Sequence, residues 1–179
     1  MAIREARTSD AHAIANVRVN SWKTGYSGIL DESVLSALNI PDDEVTWTKY
    51  LSAQQVSQAS LVVEEINPGT SAPGFSCLGP YRTLEPAAVQ LSPEGTVGEI
   101  YAFYLHPDYW GSGIADELMT ACIDRLRLDG WPLARLWVLT ENARARRFYE
   151  RHDWVVDGQS RELDLPGSPS EVRMTRHLH

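Results

Sequence analysis

In the middle of the chain, the hydrophobic pattern changes from a continuous apolar run to apolar residues at helical spacing. Residues 100–105 form a continuous apolar and aromatic run, which predicts a mostly buried β-strand. The strand ends before Pro107, because proline has no N–H to donate to a sheet ladder. Apolar residues then recur at helical spacing and predict an amphipathic helix: Ile114, Leu118, Cys122 and Leu126. Gly130 and Pro132 end this helix, so a strand, a short turn and a long helix follow one another.

Patterns of the same kind predict the elements on either side of this unit. Before it come a strand, three helical segments and two strands, over residues 2–6, 11–22, 31–38, 42–53, 60–66 and 75–83. After it come a strand, a helix and two strands, over residues 134–139, 143–152, 161–165 and 172–178. Pro41 ends the second helix, Gly79-Pro80 interrupts the third strand, and Asp157-Gly158 is predicted to be a turn. This order predicts an α/β domain with a mixed sheet, and residues 1–179 are expected to form a single domain.

Composition narrows the class of protein. The chain has 179 residues, of which 43% are hydrophobic, and this length and apolar content suit a packed domain. A net charge of −8 disfavours nonspecific nucleic-acid binding and is compatible with a cationic substrate, although a soluble surface explains it as well. Cys77 and Cys122 have no metal-ligand or disulfide spacing. The N-terminus has charges where a signal peptide needs an apolar run, and no segment approaches ~20 apolar residues, so we expect a cytoplasmic protein with no membrane span.

The turn after the central strand has the composition of an anion site. Gly111, Ser112 and Gly113 place little bulk above the backbone, directly before the N-terminus of a helix. The first N–H groups of a helix have no internal partner and lie at the positive end of its dipole, so a phosphate can bind there. A P-loop would need a lysine after Gly113, and a dinucleotide fold would need a third glycine near Asp116. The residues alone leave open a phosphate cradle and an ordinary strand–helix turn.

The same stretch resembles motif A of the GCN5-related N-acetyltransferases, whose pattern after a strand is Gln/Arg-x-x-Gly-x-Gly/Ala. Gly113 and Ala115 match its last two positions, and Trp110 stands where Gln or Arg is usual. This departure is compatible with the motif if the position acts mainly through its backbone.

A second stretch resembles another motif of the same family, found after its fifth strand. Its residues are Asn142, Ala145, Phe148, Tyr149 and Glu150. Asp153-Trp154 replaces the family's Gly-Phe, and aspartate can adopt the left-handed conformation, though less readily than glycine. With two motifs at the expected distance, the resemblance covers nearly the whole chain.

The resemblance implies a mixed, mostly antiparallel sheet flanked by helices, with a V-shaped gap between strands 4 and 5. It also implies acetyl-CoA as the acyl donor and no metal. The backbone of Tyr104 and Leu105 would contact the pantetheine arm, and Asn142 would hydrogen-bond to it, although a plain helix cap is the alternative for Asn142. The pyrophosphate would bind at the turn, formed by Trp110, Gly111, Ser112, Gly113, Ile114, Ala115 and Asp116.

The resemblance also suggests how acetyl transfer would proceed. Glu99, at the start of the central strand, is the candidate general base, and a carboxylate that only positions substrate is the alternative. We expect apolar strand neighbours to raise its pKa. The N–H of Leu105 would stabilise the oxyanion, and Tyr149 would protonate the thiolate. His106 is a weaker candidate base, and transfer is expected to be direct, since neither cysteine has the setting of a nucleophile.

The acceptor is predicted only as an amine of a small molecule or peptide. The early helices would wall its site, where Trp22 and Tyr26 are candidate contacts beside Glu99, with core packing as the alternative for both aromatic residues. A homodimer is compatible with the family, but no segment specifies an interface. The competing functions are a non-catalytic acyl-CoA sensor and a nucleotide-binding protein.

Overall fold

The computed structural model describes residues 1–55, 57–64, 72–82 and 97–178. The strands of this part of the chain are β1 (Ala2–Glu5), β2 (Ala59–Glu64), β3 (Gly74–Pro80), β4 (Val97–Leu105), β5 (Leu133–Leu139), β6 (Val155–Glu162) and β7 (Ser170–His177). The α-helices are α1 (Ala11–Gly25), α2 (Glu32–Ala37), α3 (Ile40–Ser52), α4 (Ile114–Leu128) and α5 (Ala143–Arg151). Short 3₁₀ turns lie at Thr8–Asp10 and Pro107–Tyr109.

The described strands form one sheet in the order β1-β2-β3-β4-β5-β7-β6. Every neighbouring pair is antiparallel except β4 and β5, which run parallel. The mixed, mostly antiparallel sheet flanked by helices is therefore confirmed.

The parallel pairing of β4 with β5 covers only the first part of each strand. It runs from Val97 opposite Leu133 to Ile100 opposite Leu136, and there it stops. Beyond this point β4 pairs only with β3, and β5 pairs only with β7. The expected gap between the fourth and fifth strands is thus confirmed.

An extra residue in β4 lies where the two strands separate. In the ladder with β3, Cys77 faces Ala102 but Leu78 faces Ile100, so Tyr101 has no partner and forms a bulge. A bulge bends its strand and increases the local twist. It therefore accounts for the divergence of β4 from β5.

Two apolar clusters hold the helices on opposite faces of the sheet. The helix α4 contributes Leu118, Met119, Cys122 and Leu126 to the larger cluster, which also contains Leu136 and Met174. On the other face, Ile14 and Val17 of α1 pack on Val62, Phe75 and Cys77. The strand residues of this second cluster come from β2, β3 and β4, so α1 and α3 cover that half of the face. Within the described ranges, no helix is long and apolar enough to cross a bilayer.

The start of α3 differs from the prediction. The helix begins at Ile40 rather than residue 42, and Asn39 caps it by accepting a hydrogen bond from the N–H of Asp42 at 3.0 Å. Pro41 lies in the first turn of α3 instead of ending α2. Proline is tolerated there because the N–H it lacks would have no partner within the helix.

The predicted turn at Asp157-Gly158 is wrong, and the strand predicted over residues 161–165 begins and ends earlier, at Val155–Glu162. Both positions of the turn lie inside β6, which ends at Glu162. The register with β7 shifts between Val156 and Ser160, and Gly158 has φ 89°. The dipeptide is an irregularity within a strand, which sequence alone does not distinguish from a turn.

The predictions around β2 and β3 can be compared only in part. No break is seen at Gly79-Pro80, because β3 continues to Pro80. The predicted ends of these strands at 65–66 and 83, and the loop predicted over 85–96, lie outside the described residues.

The turn after α5 confirms the expectation for Asp153. This residue adopts φ 61°, and the N–H of Trp154 donates to the carbonyl of Tyr149 at 3.1 Å. Trp154 is fully buried in the larger cluster. Asp153 therefore ends the helix that carries Tyr149 in the left-handed conformation that a glycine would adopt there.

Truncation of α4 offers a test of the packing. Leu118 is 0% exposed, whereas Leu128 on the same helix is 84% exposed. We expect Leu118→Ala to lower the free energy of unfolding by about 2 to 5 kcal/mol, through lost burial and the cavity left behind. Leu128→Ala, the matched control, should change it by no more than about 0.5 kcal/mol. Urea unfolding measures both, and equal losses would contradict the assigned packing.

Candidate active site

The separation of β4 and β5 opens two adjoining cavities. The first, of about 160 Å³, lies between the diverging strands, the end of α1 and the start of α5. The second, of about 430 Å³, extends from there to the glycine turn. The lining residues they share are Phe103, Leu105, Trp110, Arg144, Ala145 and Tyr149.

The backbone of β4 is open toward the gap at alternate residues. The N–H of His106 donates to the carbonyl of Pro73 at 2.8 Å, which defines a hydrogen-bonded pair with β3. Such pairs alternate with non-bonded ones in an antiparallel ladder, so Leu105 and Phe103 turn their N–H and C=O groups away from β3. Tyr104 faces β3 with its backbone, opposite Phe75. The backbone groups that face the gap are thus those of Phe103 and Leu105, whereas those of Tyr104 face β3.

The glycine turn presents free amides at the N-terminus of α4. Gly111 and Gly113 have φ of 79° and 87°, and no atom lies within 4 Å of where a Cβ would be. The N–H of Ser112 donates to Tyr109 and that of Asp116 to Gly113, while Ile114 has only a 3.4 Å contact with the Ser112 hydroxyl. The amides without a partner among the described residues are those of Gly111, Gly113 and Ala115. Of the turn residues 110–116, these three have a backbone N–H that is open to a ligand. Free amides at a helix N-terminus suit a phosphate.

Trp110 contributes its side chain as well as its backbone. The indole Nε1 donates to the carbonyl of Leu105 at 3.0 Å, and the Ser21 hydroxyl donates to the same oxygen at 2.6 Å. The Arg144 guanidinium lies 3.4 Å from the centre of the indole ring. The tryptophan that departs from the family pattern thus connects the end of β4 to α5.

Asn142 can act as both a helix cap and a ligand contact. Its Oδ1 accepts a hydrogen bond from the N–H of Ala145 at 3.1 Å, which caps α5. No described residue accepts a hydrogen bond from its Nδ2, and the side chain lines the first cavity. The helix cap uses Oδ1 of Asn142, and its Nδ2 remains available to donate to a ligand.

Tyr149 lies where the two cavities meet. It is 8% exposed, and burial raises the pKa of its phenol, with a further contribution from Tyr104. The hydroxyl therefore stays protonated at neutral pH, the state in which it can act as an acid.

Glu99 lines the first cavity but has different surroundings from those expected. Its side chain is 2% exposed, and the Arg82 guanidinium contacts its Oε1 at 2.8 Å. The backbone N–H of Arg82 donates to its Oε2, also at 2.8 Å. An ion pair, rather than an apolar setting, thus surrounds this carboxylate.

The other predicted residues fall at different places. Tyr26 and Tyr104 line the first cavity, and burial raises the pKa of both phenols. Trp22 packs edge-to-face on Tyr26 at 5.1 Å between ring centres, outside the lining of either cavity. His106 lines neither cavity, and its Nδ1 lies 3.4 Å from a carboxylate oxygen of Asp108. Trp22 therefore packs against a residue that lines the cavity without lining it itself.

The cysteines have no place in the site. Cys77 and Cys122 are buried, line neither cavity, and burial raises the pKa of their thiols to about 11 and about 12. Thiols with such pKa values are poor nucleophiles at neutral pH. In the described ranges, no group of three or more His, Cys, Asp and Glu residues is arranged to hold a metal.

Several cavity residues are not evident from sequence reasoning. They are Ser21, Arg82, Trp137, Arg161 and Glu171. The last two come from β6 and β7, whose pairing brings them opposite each other. None of them belongs to a local motif, and strand pairing is what brings Arg161 and Glu171 together.

Comparison with known proteins agrees with this geometry. The Acetyltransferase (GNAT) family pattern matches residues 40–154. The uncharacterized N-acetyltransferase YuaI of Bacillus subtilis is 30% identical over 140 residues, covering 78% of this chain and 72% of that protein.

Solved structures share the fold at low sequence identity. The PaiA N-acetyltransferase of Thermoplasma acidophilum, solved with coenzyme A, superposes with a TM-score of 0.70 and 19% identity, covering 98% of both chains. The yncA structure from Salmonella typhimurium, with its cofactor acetyl-CoA, gives a TM-score of 0.69 and 18% identity over 100% of this chain and 94% of that one. The chain belongs to the GNAT family of N-acetyltransferases and is an acyltransferase.

The role of Tyr149 can be tested by removing one oxygen. If the Tyr149 phenol protonates the leaving thiolate, Tyr149→Phe should lower turnover about 100-fold. The affinity for acetyl-CoA should change little. Steady-state kinetics and calorimetry measure the two effects. Tyr50→Phe, which removes a buried hydroxyl outside both cavities, is the control, and wild-type turnover in Tyr149→Phe would exclude Tyr149 from the chemistry.

Proposed function

We propose that this protein transfers an acetyl group directly from acetyl-CoA to a primary amine of a small molecule or peptide. The observation that carries the proposal is the open edge of β4. It leads from the free amides of the glycine turn to a cavity that contains Tyr149 and Glu99.

The residues present fit coenzyme A along its length. The amides of Gly111, Gly113 and Ala115 suit the pyrophosphate, because nothing occupies the space above the two glycines. The N–H and C=O groups of Phe103 suit the amides of the pantetheine arm, which would bind along β4 as a further strand does. The C=O of Leu105 already accepts from Ser21 and Trp110, so only its N–H is left, for the thioester carbonyl. Asn142 adds side-chain donors. The neighbours solved with coenzyme A and acetyl-CoA support this assignment.

The chain's own groups account for the three requirements of acetyl transfer. An amine with a pKa of about 10.4 must lose a proton before it can attack, and Glu99 takes it, directly or through water. The N–H of Leu105 donates to the oxyanion that develops on the thioester carbonyl. As the new C–N bond forms and the C–S bond breaks, Tyr149 gives its proton to the sulfur. The acetyl group passes directly between the two substrates, with no covalent acyl-enzyme intermediate.

Glu99→Gln tests the base. Without a base, the residual rate follows the free amine, whose fraction falls tenfold for each pH unit below the amine pKa. We expect about a 100-fold lower kcat/KM at neutral pH, with a deficit that grows as the pH is lowered. Glu162→Gln, which changes an exposed carboxylate outside both cavities, is the matched control and should keep the wild-type rate and pH profile. A wild-type profile in Glu99→Gln would limit Glu99 to positioning substrate.

Titration with acetyl-CoA, with ADP as the control, tests the cofactor assignment. Calorimetry should show acetyl-CoA binding well above ADP, because the pantetheine groove contributes contacts that ADP cannot make. A panel of amines, assayed for released CoA, then tests transfer. Equal binding of the two ligands would point to a nucleotide site. Tight acetyl-CoA binding with no transfer to any amine would favour an acyl-CoA sensor.

A further inference from the structure

A charged pair on β6 and β7 lines the acceptor end of the first cavity. Arg161 and Glu171 face each other in the strand register. The Nε and Nη2 groups of Arg161 both donate to Oε2 of Glu171, at 2.8 and 2.7 Å. The guanidinium also lies 4.2 Å from the ring centre of Trp137. The indole and the carboxylate together hold the arginine at the wall of the cavity.

Each partner of this pair keeps one unused group. No described residue bonds Nη1 of Arg161 or Oε1 of Glu171. The Glu171 side chain is only 15% exposed, so its free oxygen has limited access to bulk water. The Arg161 side chain is 37% exposed, so the sheltered member of the pair is Glu171. Its free oxygen gains from a ligand that completes its hydrogen bonds, and the free N–H of Arg161 beside it can donate to the same ligand.

A neighbouring pair shows what a closed arrangement looks like on the same sheet. Arg173 donates to Asp157 through Nε and to the Tyr81 hydroxyl through Nη1. The second oxygen of Asp157 accepts from the N–H of Gln159 at 3.1 Å. Neither charged residue lines the first cavity. Both oxygens of Asp157 are thus bonded, whereas Glu171 keeps one oxygen without a partner among the described residues.

The pair belongs to the same cavity as the proposed reacting groups. Tyr26 and Tyr104 line that cavity, and burial chiefly raises the pKa of both phenols. The negative charge of Glu171 adds to the increase in each case. Glu171 therefore acts electrostatically on the tyrosines that wall the acceptor site.

We propose that the acceptor is an amine that carries an anionic group beside it, as a free amino acid does. Its ammonium group binds Oε1 of Glu171, and its carboxylate binds Nη1 of Arg161. A ligand with only a positive charge would be attracted by Glu171 but repelled by Arg161. A ligand with only a negative charge would be attracted by Arg161 but repelled by Glu171. A zwitterion satisfies both members of a pair that is neutral overall. This inference rests on the proposed function, within which Glu171 and Arg161 are specificity-determining residues.

Binding of matched amines tests the class of acceptor independently of transfer. The probes are the twenty amino acids and two amines that lack the carboxylate: phenethylamine, which corresponds to phenylalanine, and isoamylamine, which corresponds to leucine. Each is titrated into the protein in the presence of CoA. We expect phenylalanine or leucine to bind at least tenfold more tightly than its partner. Equal or tighter binding of the decarboxylated amines, or no binding of any amino acid, would overturn the proposal.

Variants connect this preference to the pair. Arg161→Gln should abolish the preference for the carboxylate, and Glu171→Gln should weaken amino-acid binding at least tenfold, both with wild-type melting temperature and acetyl-CoA affinity. Glu162→Gln is the matched control, because Glu162 is exposed and lines neither cavity. A preference that survives in Arg161→Gln would refute the assignment.

The two proposals can fail separately. Acetyl-CoA-dependent transfer to amines without a carboxylate, at rates unaffected by Arg161→Gln, would refute only the acceptor class. If the protein binds amino acids in a way that depends on Arg161 but does not bind acetyl-CoA, only the proposed acetyl transfer is refuted.

Discussion

The site depends on one interruption of backbone hydrogen bonding. The parallel ladder between β4 and β5 ends at Ile100, and the unpaired Tyr101 turns β4 away from its neighbour. Buried backbone N–H and C=O groups without partners are costly, so the exposed edge at Phe103 and Leu105 favours a ligand that can pair with it. The separation of the strands therefore creates both a space long enough for an extended cofactor and the backbone groups proposed to bind it.

Side chains hold this open edge in place. Ser21 and Trp110 donate to the same carbonyl at the end of β4, and Arg144 stacks on the indole. These contacts join α1, β4 and α5 around the entrance to the gap. Ser21 and Trp110 bond only the carbonyl of Leu105. Its N–H remains available for the proposed contact with the oxyanion, so the two interactions use different backbone groups of the same residue.

The acceptor side is built on a different principle. Where α1 and α3 cover β2 to β4, the packing is apolar, whereas the cavity wall on β6 and β7 carries opposite charges on adjacent strands. Such a wall has little net charge, so the proposed selection of the acceptor depends on the arrangement of the charges that the acceptor carries. The net charge of −8 for the whole chain is thus a poor guide to the acceptor.

Sequence alone determined the parts of this protein whose information is local. The glycine turn, the long helix after it and the segment from Asn142 to Tyr149 each lie within a few turns of chain, and their spacing identifies both the elements and the family. The left-handed turn at Asp153 was likewise predictable from one residue. Tertiary structure alone decided the pairing of Glu99 with Arg82, the bulge at Tyr101 and the meeting of Arg161 with Glu171. These depend on strand register, which a single irregular residue changes, and register is set by packing across the whole sheet rather than by neighbours in the chain.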